Sequence, residues 1–72
     1  MPGTEPEWQR VQSSNVDAVM YDPEARVLSV RFHSGGEYSY RNVPPDVARG
    51  LVDAESPGRY FASNIRGNYS HE

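Results

Sequence analysis

The chain has 72 residues, including seven Arg, no Lys, ten carboxylates, two His and no Cys. That length allows one domain with a thin core and no disulfide support, and leaves little room for an enclosed active-site cavity. The missing Cys removes zinc-finger, thiol-nucleophile and redox readings, and His33 and His71 are too far apart in sequence to make a local metal site. No run approaches the roughly 18 apolar residues of a membrane span, and no export signal opens the chain. The expectation is a soluble, cytoplasmic protein without cofactor or metal.

The location of charge is more informative than its sum of −3. Residues 1–24 set five acids against Arg10 for a net of −4, residues 25–69 carry a net of +2, and the last three residues add −1. A sequence pI of about 5.2 argues against a sequence-blind nucleic-acid binder, which draws its affinity from neutralised phosphates. A compact Arg-bearing patch remains compatible with it, because Arg offers forked, stackable recognition of phosphates and bases.

In chain order, residues 1–12 mix Pro, Gly, Thr and acids around Trp8 with no sustained period, and read as a flexible leader. Residues 16–21 and 27–32 are β-rich and flank Asp22-Pro23-Glu24-Ala25, a hairpin turn with Pro23 at its second position. Ser34-Gly35-Gly36 makes a second turn into a third strand over residues 37–43. Pro44-Pro45 then stops the strand, and Val47, Leu51 and Ala54 recur at helical spacing. Ser56-Pro57 repeats the helix-start signal, Phe61 and Ile65 are four apart, and Gly67 is a left-handed stop. The predicted fold class is α+β: a three-stranded antiparallel meander followed by two short helices packed on one face, in the order β-β-β-α-α. The domain is expected over residues 13–69, with a tail at 70–72.

Register governs the aromatic residues. A three-residue turn at Ser34 to Gly36 sets Phe32 opposite Tyr38 and Val30 opposite Tyr40, which puts both tyrosines on the core face. A turn of Gly35-Gly36 alone moves them to the opposite face beside Arg31, as an exposed platform. For the first hairpin, a turn at Pro23 to Ala25 pairs Met20 with Leu28, Ala18 with Val30 and Asp17 with Arg31.

The ordered set Ser13-Ser14-Asn15-Val16, Tyr21-Asp22, Leu28-x-Val30-x-Phe32, Gly35, Tyr38-x-Tyr40, Val43-Pro44, Ala54-x-Ser56-x-Gly58-x-Tyr60-Phe61, Ile65 and Tyr69 resembles the KTSC domain. That family is named from the C-terminus of some lysyl-tRNA synthetases, and the resemblance spans residues 11–69. It implies a small non-enzymatic module of the type found alone in bacteria and their phages, with RNA as the implied ligand class.

Several residues are candidates for ligand binding. Ser56, Gly58 and Arg59 form a helix start suited to an anion, with Asn64 and Arg66 one and two turns along, although an ordinary N-cap has the same residues. Tyr38 and Tyr40 suit base stacking if exposed and core packing if not. Arg31 and Arg41 project from the solvent face under the favoured register and suit a phosphate backbone or local carboxylates. Ser13, Ser14 and Asn15 can donate to a ligand or satisfy turn backbone. Neither His33 nor His71 has a natural orienting partner, so no catalytic residue is assigned. The first functional reading is a module for RNA or another phosphate-bearing ligand. The second is a protein-interaction adaptor, such as a phage or prophage protein uses on a host component. Monomer and homodimer both fit an uncovered sheet face.

Overall fold

The computed structural model of the protein describes residues 8–71; of the expected leader and tail, residues 1–7 and 72 lie outside the described residues. A single antiparallel sheet runs in the order β1 (Gln9–Arg10), β2 (Val16–Asp22), β3 (Val27–Phe32), β4 (Glu37–Tyr40), and is followed by α1 (Pro45–Asp53) and α2 (Pro57–Asn64). The sheet therefore has four strands where the sequence predicts three. The added strand comes from the expected leader: Gln9 pairs with Val19 and Arg10 with Ala18. Two edge residues carry no hydrophobic period, so only the open edge of β2 defines them as a strand. The nearby Arg10–Asp17 ion pair at 3.3 Å, the Val11 N–H bond to Asp17 O at 3.3 Å, and Trp8 stacked 4.2 Å from the Arg31 guanidinium carbon draw this segment onto the sheet.

Both hairpin loops differ from expectation, the first in length and the second in position. Asp22 pairs with Val27, so the first loop has four residues rather than three, and Val19 rather than Ala18 faces Val30. Asp22 Oδ1 accepts from the Glu24 and Ala25 amides, and Arg26 takes the left-handed conformation that closes the loop (φ 59°). A non-glycine residue there gives no sequence signal. A bulge between Val16 and Ala18 then restores Val16 to the core face opposite Phe32. Asp17 is consequently paired with Arg10, not Arg31. In the second hairpin Phe32 N–H bonds Gly36 O at 2.9 Å and Gly35 has φ 105°, so the loop is His33 to Gly35. Tyr40 faces Leu28 and Tyr38 faces Val30. This displaces the pairing by an even number of residues, which leaves both tyrosines on the core face.

Both helices cover that face, and Val16, Val19, Leu28, Val30, Tyr40, Val43, Ala48, Leu51, Phe61 and Ile65 form the core. Each large apolar side chain there contributes about 1.5 to 3 kcal/mol. Helix α1 stops at Asp53, with Ala54 as an extended cap and not a stripe residue, and Gly67 has the expected positive φ (85°) after α2. Among the described residues no helix is long and apolar enough to cross a membrane.

The helices meet closely at Gly50. A Cβ there would lie 2.2 Å from the Tyr60 hydroxyl oxygen and 2.6 Å from its Cζ, and that hydroxyl donates to Val47 O at 3.2 Å. Gly50→Ala is expected to destabilise the protein by about 1 to 3 kcal/mol through overpacking, despite alanine's helix propensity. In a Tyr60→Ala background the same change becomes neutral or stabilising, by up to about 1 kcal/mol, which urea denaturation of the four variants measures.

Tyr21 ties β2 to the segment after β4 by donating to Val43 O at 2.6 Å. Burial holds its phenol above the ordinary pKa, with Arg26 opposing and Asp22 adding to the rise. The folded state thus keeps this proton more tightly than the unfolded chain. The associated stability is present at neutral pH and is lost as pH climbs past about 10. Tyr21→Phe is expected to flatten that alkaline decline in melting temperature against pH while lowering stability at neutral pH.

Candidate functional site

Strand alternation and two short helices bring the candidate residues Tyr38, Tyr40, Gly58 and Arg66 to one open groove of about 530 Å³ between β4 and α2. Phe32, Tyr38, Tyr40, Phe61, Tyr69 and His71 supply its rings, and Asn15 and Arg66 its polar groups. The rings meet edge to face: Phe61 lies 5.3 Å from Phe32 and 5.5 Å from Tyr40, and Phe32 lies 5.9 Å from Tyr38. Such contacts add about 0.5 to 1.5 kcal/mol each beyond burial.

The two tyrosines of the central motif share a face but not an environment. Tyr40 is 4% exposed beneath Phe61, whereas Tyr38, two residues nearer the hairpin tip, is 41% exposed. Burial raises the Tyr40 pKa, the Tyr38 phenol beside it adds to the rise, and the Arg66 charge opposes it. Arg66 therefore directs its field into the aromatic groove.

A second groove of about 520 Å³ adjoins the first through Asn15, Gly58 and Ala62, and includes Ser13, Ser56 and Arg59. Gly58 permits this junction, since a Cβ there would meet Ser13 Oγ at 3.3 Å and Asn15 Nδ2 at 3.4 Å. Ser13 Oγ accepts from the Asn15 and Val16 amides at 3.1 and 3.2 Å, which fixes the segment entering β2. The Ser56 side chain makes no capping bond to α2, contrary to the ordinary N-cap reading.

The remaining candidates lie elsewhere. Arg31 points away from the helices and bonds Glu37 at 3.2 Å as well as stacking on Trp8. Arg41 is exposed after β4 and does not line the groove; its amide bonds Ser70 O at 3.0 Å. Asn64 donates its amide to Tyr60 O at 3.1 Å near the end of α2. His33 Nε2 lies 2.9 Å from the Ser13 carbonyl oxygen, and Nδ1 lies 3.7 Å from Asp17. This histidine clamps the start of β2 onto the hairpin. It does not contact the Ser13 hydroxyl as a nucleophile's base would. Among the described residues no cluster of His, Asp or Glu is placed to hold a metal.

Sequence reasoning missed Phe32, Phe61, Tyr69 and His71 as groove residues. The apolar stripe marks Phe32 and Phe61 only as core, and the tail gives His71 no pattern at all.

An antiparallel sheet covered on one face by two helices, with an aromatic groove along their seam, defines a compact α+β module. The model of the KTSC domain matches residues 12–69, and the chain belongs to that family. A protein of Tsukamurella paurometabola is 46% identical over 61 residues, covering 85% of this chain and 91% of that protein. Similarity extends to the lysine–tRNA ligase of Nostoc sp., 36% identical over 61 residues that span 85% of this chain and 11% of the ligase. The crystal structure of a KTSC domain protein from Yersinia pestis superposes with a TM-score of 0.91 at 32% identity, covering 94% of this chain and 96% of that one.

The difference in burial gives a direct test. Tyr40→Ser is expected to cost about 2 to 4 kcal/mol and Tyr38→Ser less than about 1 kcal/mol, as read by chemical denaturation. Equal losses would mean that Tyr38 is core rather than surface.

Proposed function

We propose that the protein is a non-enzymatic binding module that takes single-stranded RNA along the two joined grooves. The observation that carries this reading is the exposed Tyr38 ring in the same groove as Arg66. A ring with an open face accepts a base of any sequence, and a guanidinium in the same groove meets the attached phosphate in forked geometry. Arg59, with the N-terminal amides of α2 beside it, is suited to a second phosphate. The similarity to a segment of lysine–tRNA ligases supports an RNA context for such a groove. The acidic balance of the chain fits a short, local contact better than a long electrostatic track.

Binding of a short single-stranded RNA by fluorescence anisotropy tests this. With two phosphates engaged, log Kd should change against log salt with a slope of roughly 1.4, and Arg59→Gln or Arg66→Gln should each remove about half of it. Tyr38→Ala should weaken binding by about 1 to 3 kcal/mol with little change in salt slope. A salt-insensitive interaction with a protein partner, and none with RNA, would favour the adaptor reading instead.

A further inference from the structure

We infer that the His71 imidazole is an intramolecular stand-in for a nucleobase on Tyr38, so that docking of the tail and binding of an unpaired base exclude one another. The inference rests on the RNA reading of the groove and adds to it how the site is closed.

Tyr38 is bounded on three sides. Phe32 meets it edge to face, and the Gly36 backbone lies so near that a Cβ there would be 3.4 Å from Tyr38 Cε2. The third neighbour is His71, whose ring centroid lies 5.3 Å from Tyr38 at 86° and 5.2 Å from Tyr40 at 49°. Phe32 and Gly36 belong to the β3–β4 hairpin and cannot leave without opening the sheet. His71 is different. Its segment is joined to the edge of β4 by an isolated Tyr40–His71 bridge and the Arg41 amide bond to Ser70 O. Few backbone bonds and an exposed residue mark a segment that opens well below the cost of global unfolding.

The imidazole also has the chemistry of what it replaces: a flat nitrogen heterocycle with polar edges, held against a tyrosine in a groove that also contains Arg66. A base that settles on the side of Tyr38 where the His71 ring lies edge to face must displace it. The apparent affinity of the whole chain is then reduced by the fraction of molecules with the tail docked.

The test uses the full chain and hexa-adenylate carrying a fluorophore. His71→Ala should tighten binding by about threefold to tenfold, the occupancy expected of ring contacts of this kind. In the unaltered protein, the His71 ring proton resonances should move toward those of a free histidine as oligonucleotide is added. Unchanged or weaker binding by His71→Ala, or His71 resonances that stay in place at saturation, would overturn the inference. If Tyr38→Ala loses binding while either of those results is found, the groove still binds RNA and only the plug is wrong. If neither the unaltered chain nor His71→Ala binds hexa-adenylate, the RNA reading falls and the plug with it.

Discussion

The packing of Phe61 between Phe32 and Tyr40 is the contact from which the rest of the molecule takes its geometry. Helix α2 has eight residues, too few to be helical alone in water, so its position is set by the apolar side it buries. Seating Phe61 against β3 and β4 brings Gly58 against Ser13 and Asn15 at one end of the helix. At the other end it brings Arg66 close enough to act on the Tyr40 phenol. Both grooves are consequences of that one seating.

The sheet divides its residues between two faces with different chemistry. The covered face holds the aromatic residues that line the groove. On the other, Ser29 and Ser39 share a hydrogen bond at 3.0 Å, and Trp8, Arg31 and Glu37 form a local cluster. Arg31 is thereby committed to neighbours of its own chain, while Arg59 and Arg66 line the two grooves. A formal charge of −3 conveys nothing of this, because what a ligand experiences within a Debye length is the local arrangement.

Much of the architecture was legible because it depends on local rules. Alternation marked the three longer strands, and Pro at two helix starts and Gly67 beyond α2 marked the helices. The length of the first loop and the placement of the second were less legible. Arg26 occupies a left-handed position without the glycine that would announce it, which shifted the first hairpin by one residue until the bulge before Ala18 compensated. The second hairpin shifted by an even step, so the side of the sheet on which Tyr38 and Tyr40 lie survived a wrong pairing. Strand β1 left no trace, since two residues at an edge bury nothing that repeats.

The sequence by itself determined the α+β class and the family. It did so because periodicity, turn chemistry and side-chain type are properties of the chain within a few residues. Only the tertiary structure decided that Tyr40 is core while Tyr38 is surface, that Arg66 joins them and Arg31 does not, and that His71 returns to lie against both rings. Those outcomes depend on how far two short helices reach across the sheet and on which edge a terminal segment finds, distances that no local pattern encodes.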